Sequence, residues 1–140
     1  MSERVPEHVL VVDDDADIRQ LVVDLLRLSG YEARAVPSGV EALAELRAGE
    51  RPPPSLVLLD VQMPELDGWS TLSELRTIER LADLPVVLCT VKASPADVER
   101  GSALGCDGFL AKPFAITDLL AVVQTTLDLR NTVRVPDPSR

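Results

Sequence analysis

The chain has 140 residues, 46% hydrophobic and 26% charged, the proportions of an ordinary globular protein with length enough for one domain and its core. Its net charge of −9 repels phosphate backbones and argues against direct contact with nucleic acid, and no apolar run approaches the ~20 residues that span a bilayer. Met1 to Glu7 lack the apolar stretch of a signal peptide, and Cys89 and Cys106 match no metal-ligand spacing, so they read as free thiols of a reducing cytosol.

His8 to Asp13 is the first strand candidate, with the only histidine at its start and no cysteine near it to share a metal. Beyond Asp13-Asp14-Asp15, the apolar residues Ile18, Leu21, Val22, Leu25 and Leu26 recur on one face of a helix. Gly30 stops it, as suits a left-handed cap. Tyr31 to Val36 follows as a strand. Ser38 then precedes a helix from Gly39 to Ala48, with Val40, Leu43 and Leu46 as its buried side and Gly49 at its end. Arg51-Pro52-Pro53-Pro54 is a stiff loop that cannot join a helix. Leu56 to Asp60 is the third strand. After Asp67-Gly68, the residues Leu72, Leu75, Ile78 and Leu81 mark a third helix. Pro85 to Cys89 is the fourth strand, and Ser94 caps a fourth helix with Pro95 at its first position, reaching about Leu104. Gly108 to Ala111 is the fifth strand. Ile116, Leu119, Leu120, Val123 and Leu127 define the last helix. From Arg130 to Arg140 there are two prolines and no periodicity, which divides the chain into a domain over 1–129 and a flexible tail over 130–140.

Strict alternation of strand and helix predicts an α/β fold, a parallel sheet with helices on both faces, and right-handed crossovers leave only a few doubly wound topologies. Each buried strand hands over to a polar residue at its C-terminal edge, where open parallel sheets bind ligands. Asp13, Asp14, Asp60, Thr90 and Lys112 therefore converge on one point, a grouping suited to a divalent metal and a phosphoryl group. Helix N-terminal chemistry accounts for Asp15 and can account for Asp17, but not for Asp13 and Asp14 directly after a hydrophobic strand. A calcium loop fits Asp13, Asp15, Asp17 and Asp24 by position, yet places Ile18 where glycine is required. A phosphatase of the haloacid dehalogenase type shares the Asp-x-Asp after the first strand. It lacks the later Gly-Asp-x-x-x-Asp here, and it gives Asp60 no role.

Asp60 is followed by Met63-Pro64-Glu65-Leu66-Asp67-Gly68. With the aspartate pair, Thr90 and Lys112-Pro113-Phe114, the chain resembles the receiver domain of bacterial response regulators from about His8 to Leu129. The resemblance implies a flavodoxin-like, five-stranded doubly wound sheet in the order 2-1-3-4-5. It implies that Asp60 is the phosphoacceptor, taking a phosphoryl group from a sensor histidine kinase or phosphotransfer protein. It implies Mg2+ held by Asp14, Asp60 and the backbone carbonyl of Gln62, with Asp13 acting through an intervening water. Lys112 and Thr90 would meet the phosphoryl oxygens, and the Lys112-Pro113 bond would be cis. Thr90 and Phe109 would form the switch, and output would pass to a downstream protein through the face of helix 4, strand 5 and helix 5. Such a protein is a cytoplasmic signalling switch, not a turnover enzyme, without nucleic-acid contact or membrane insertion of its own.

Three residues depart from the family or stand apart from its motifs. Val91, after Thr90, is bulkier than the small residue usual there, and Lys92 adds an ammonium at the rim. Both should restrict access to Asp60. Trp69, after Asp67-Gly68, reads as partly buried packing, with a partner contact as the lesser alternative. Two other readings stay open: a receiver that is part of a longer regulator or hybrid kinase, and a small Mg2+-dependent phosphohydrolase.

Overall fold

The computed structural model describes residues 6–91 and 93–134, with 130–134 as backbone only. Five strands alternate with five helices: β1 His8–Val12, α1 Ala16–Leu28, β2 Glu32–Val36, α2 Gly39–Ala48, β3 Leu56–Asp60, α3 Gly68–Leu75, β4 Val86–Thr90, α4 Pro95–Leu104, β5 Gly108–Ala111 and α5 Ile116–Arg134. The strands form one parallel sheet in the order β2-β1-β3-β4-β5, as the resemblance implied.

Local chemistry starts and stops the helices where the sequence suggests. Asp15 accepts hydrogen bonds from the amides of Asp17 and Ile18, at 2.9 and 3.2 Å. Ser38, Asp67 and Ser94 likewise take the amides of Glu41, Ser70 and Asp97. Gly30 and Gly49 follow α1 and α2 with φ of 96° and 64°, a region that side chains avoid.

The two-residue period of the strands divides the core in two. Val9, Val11, Leu56, Leu58, Val87 and Leu110 face α1 and α5, where Val22, Val23, Leu26, Leu119, Val123 and Leu127 cover them. Leu10, Val12, Val57, Leu59, Val86 and Leu88 face the other way, under Ala42, Leu43 and Leu46 of α2 and Trp69, Leu72 and Leu75 of α3. The inner strands β1, β3 and β4 are covered on both faces, which is why they read as nearly unbroken apolar runs, whereas the edge strand β2 carries Glu32 and Arg34.

Packing revises several local expectations. The third helix ends at Leu75, so Ile78 and Leu81 are not on it. Arg76 caps α3, and its guanidinium turns to the carbonyls of Leu84 and Gly105 at 2.7 and 2.6 Å. Leu81 still reaches the core from a short 3-10 turn, Glu79–Leu81. Leu21, Val40 and Ile116 are about half exposed, because each helix touches the sheet along a stripe narrower than its apolar arc; Val23 and Ala42 are buried. β1 stops at Val12, whereas β4 runs from Val86 through Thr90. Trp69 is more deeply buried than expected, at 8% exposure. α5 continues to Arg134, past the expected boundary at 129; residues 135–140 of the expected tail lie outside the described residues.

Candidate functional site

β1 and β3 lie side by side at the centre of the sheet, so the chain leaving each delivers its carboxylate to the same edge. Asp13 and Asp60 are buried there, Asp14 is exposed, and one carboxylate oxygen from each of the three lies within 4.8 Å of the others. β4 brings Thr90, only 2% exposed, to the same edge. Lys112, just past β5, reaches back across the sheet. Its Nζ donates to Asp13 Oδ2 at 2.8 Å and lies 3.4 Å from Asp60 Oδ1. Asp13, Asp14, Asp60 and Lys112 thus meet at one place, with Thr90 ending its strand at the same sheet edge.

Backbone hydrogen bonds hold the strand ends in register around the site. Val61 N–H donates to the Cys89 carbonyl at 2.9 Å, and Lys112 N–H donates to the Thr90 carbonyl at 2.8 Å. The Lys112-Pro113 bond is cis, as expected. The Gln62 amide donates to Asp60 Oδ1 at 3.4 Å. Asp13 is the most heavily engaged carboxylate: Oδ1 accepts from the Asp15 amide at 2.9 Å while Oδ2 takes Lys112. Arg19 Nη1 adds a bond to the Asp13 carbonyl at 2.8 Å, a contact from the first turns of α1 that no sequence motif signals.

Gly68 is needed for a reason the sequence does not reveal. A Cβ on it would lie 2.4 Å from the Asp60 carbonyl oxygen and 2.7 Å from Val61 Cα. The first turn of α3 therefore sits directly on the end of β3, and the Gly68 amide donates to the Val61 carbonyl at 2.8 Å. Any side chain would push the loop away from Asp60.

Electrostatically the site is in tension. Burial is the main cause that pushes the Asp60 carboxyl up to about 6; the nearby Asp13 charge adds to the rise, and Lys112 opposes it. Burial by itself would lower Lys112, but its hydrogen bond to Asp13 and the charges of Asp60 and Asp13 outweigh that and raise it. Cys89, the register partner of Asp60, is buried and its thiol is pushed up to about 12, so it stays protonated and inert. Three carboxylates beside one ammonium leave excess negative charge. The donors are all oxygens, which suits a hard divalent cation.

Thr90 and Phe109 lie on the same sheet face, that of α3 and α4, and Phe109 pairs with Leu88 across the β4–β5 ladder. Val91 is 53% exposed. Lys92 lies outside the described residues. An open groove of about 530 Å³ runs from Thr90 past Gln62, Met63 and Asp67 to Trp69 and Asp97. At its far side the Arg100 guanidinium stacks on the Trp69 ring, 4.5 Å from the centroid. Among the described residues, no helix is long and apolar enough to cross a membrane.

The sequence matches the model of the response regulator receiver domain over residues 9–124. It is 38% identical over 122 residues to the transcriptional regulatory protein GltR of Pseudomonas aeruginosa, an alignment covering 85% of this chain and 48% of GltR. The chain thus spans about half the length of such curated relatives. Among solved structures, chemotaxis protein CheY4 of Vibrio cholerae is 32% identical with a TM-score of 0.81, over 87% of this chain and 99% of that one. The signal receiver domain of a signal transduction histidine kinase from Syntrophus aciditrophicus is 30% identical with a TM-score of 0.79, over 94% and 96%.

Proposed function

The chain belongs to the response regulator receiver family, and from that membership we propose that Asp60 accepts a phosphoryl group from a phosphohistidine on a sensor histidine kinase or phosphotransfer protein. The observation that carries this reading is the buried Asp60 at the end of the central strand, clustered with Asp13 and Asp14 and 3.4 Å from the Lys112 ammonium. An Asp60 carboxylate oxygen attacks phosphorus; the P–N bond to the imidazole breaks as the new P–O bond forms. Lys112 meets charge on the phosphoryl oxygens, and Thr90 donates a hydrogen bond to one of them.

Asp14, Asp60 and the Gln62 carbonyl would hold Mg2+, which when bound offsets the crowded negative charge of carboxylates and phosphoryl group. Asp13 acts indirectly, consistent with both of its oxygens being engaged by protein donors. Val91 restricts access to Asp60. The product is an acyl phosphate that this domain forms and loses on itself, not a released product of repeated turnover.

Phosphorylation adds roughly −1.5 to −2 charges. Thr90 moves toward them, Phe109 follows, and the face of α4, β5 and α5 changes what it binds. The output partner is a protein: the net charge of −9 disfavours nucleic acid at this domain. The domain that ends with α5 acts as the signalling unit, in the cytoplasm, where its free thiols stay reduced. Whether it works alone, as its near-complete overlap with CheY4 suits, or within a longer regulator, as its overlap with half of GltR suits, is a matter of chain context.

Incubation with acetyl phosphate and Mg2+ should add one phosphate to the wild type and none to Asp60→Asn, read by intact mass. Stable labelling of Asp60→Asn at another residue would sink the assignment. Repeated release of phosphate from small phosphoesters would favour a Mg2+-dependent phosphohydrolase. In the same preparations, Trp69 emission during Mg2+ titration should report a larger loss of affinity for Asp14→Ala than for Asp13→Ala.

A further inference from the structure

α4 is sparsely anchored. Of its residues only Gly101 is buried, whereas Val98 is 40% exposed. A glycine in mid-helix is unfavourable relative to alanine, and Gly101 does not have a positive φ, so no turn demands it. The reason lies across the interface. A Cβ on Gly101 would meet Phe109 Cζ at 2.3 Å and Cε2 at 2.7 Å, with Cys106 Sγ at 3.0 Å. The ring therefore sits flush against the α4 backbone in a seat that exists only because the side chain is missing. The neighbouring residue, Arg100, stacks on Trp69 of α3. At the far end of α4, Arg76 Nη2 and Nε hold the Gly105 carbonyl at 2.6 and 3.1 Å. So the C-terminal end is pinned by polar contacts, while the middle rests on the ring and the stack.

We propose that Gly101 is a positioning residue of the switch: it keeps open the seat of the Phe109 ring, so that the place of the ring and the docking of α4 are one coupled variable. The link to signalling rests on the phosphoacceptor reading above; the seat itself does not.

A double-mutant cycle on the full chain tests it. Leucine at position 109 lacks the two ring atoms that collide. In the Phe109→Leu background only the Cys106 Sγ contact at 3.0 Å remains, which that side chain relieves by a small shift, and Gly101→Ala should raise the folding constant by up to about fivefold, the normal helix gain of alanine over glycine. In the wild-type background the same change should lower it about tenfold or more, as an overpacked contact does. Fluorophenylalanine labelling gives two resonances, for Phe109 and Phe114, the chain's two phenylalanines. That of Phe109 should move in Gly101→Ala without Mg2+ or phosphodonor, and Trp69 emission should shift with it. If Gly101→Ala alone does not fold, a double variant that folds with the fivefold gain supports the coupling equally. Equal gains in both backgrounds with an unmoved Phe109 resonance would overturn the proposal. A wild type that accepts no phosphoryl group from acetyl phosphate would overturn the signalling reading alone, leaving the sign reversal of the cycle intact.

Discussion

Replacing Asp60 by asparagine should stabilise the metal-free protein, and by an amount that depends on pH. The unfolded carboxyl titrates near ~3.9, while in the folded chain burial first, and Asp13 next, push it up to about 6. Between those values the folded state holds a proton that the unfolded state has released, so stability falls as pH rises through the window from ~4 to ~6. At ~1.36 kcal/mol for each tenfold change in proton affinity, the full effect is about 3 kcal/mol. The asparagine side chain carries no charge to desolvate, and Lys112 would keep its bond to Asp13 at 2.8 Å. The gain of Asp60→Asn over wild type should therefore be near zero at about pH 4 and reach about 2–3 kcal/mol above about pH 7. Urea unfolding of both proteins in EDTA across that range measures it, with the titrations of carboxylates remote from the site cancelling in the difference. Added Mg2+ should then raise the midpoint of the wild type and leave that of Asp60→Asn nearly unchanged. A difference that is constant across pH, or an Asp60→Asn protein weaker than wild type at the alkaline end, would refute the claim that the folded site works against a charged Asp60.

Val91 is 53% exposed, so trimming it removes little packing. Val91→Ala should leave the urea midpoint unchanged yet speed loss of phosphate from Asp60 several-fold, on the order of 1 kcal/mol in barrier; an equal or longer phosphoryl lifetime would show that the side chain does not guard the site. Glu65 sits at φ 68°, in a tight turn closed by the Leu66 amide on the Pro64 carbonyl at 2.8 Å. A left-handed conformation costs a non-glycine residue about 1–2 kcal/mol, part of which glycine gives back in its looser unfolded chain. Glu65→Gly should thus stabilise by about 0.5–1 kcal/mol in urea unfolding, and a lowered midpoint would mean that the turn suits glutamate.

The order of the elements, the starts of four helices and the residues that end the strands are legible along the chain. Those features are written within a few neighbouring residues: Asp15, Ser38, Asp67 and Ser94 cap amides two or three positions ahead, and fully buried strands must be apolar throughout. The composition of the site was legible for the same reason, since a polar residue closing an apolar run stands out against it. The rest came from long-range packing. Nothing near Lys112 in the chain says that its ammonium sits closer to Asp13 than to Asp60, a choice made by a contact spanning 99 residues. Nothing near Leu75 says that α3 stops there, because Arg76 turns to carbonyls that other loops bring to it. The apolar arcs of α1, α2 and α5 were visible, but which of their residues lie inward depended on how each cylinder settled on a twisted sheet, and Leu21, Val40 and Ile116 were left at the edge. Gly68 and Gly101 make the same point from the side of space: the nearest atoms that exclude a Cβ at each belong to another element, the end of β3 for the one and β5 for the other, and only packing brings them there.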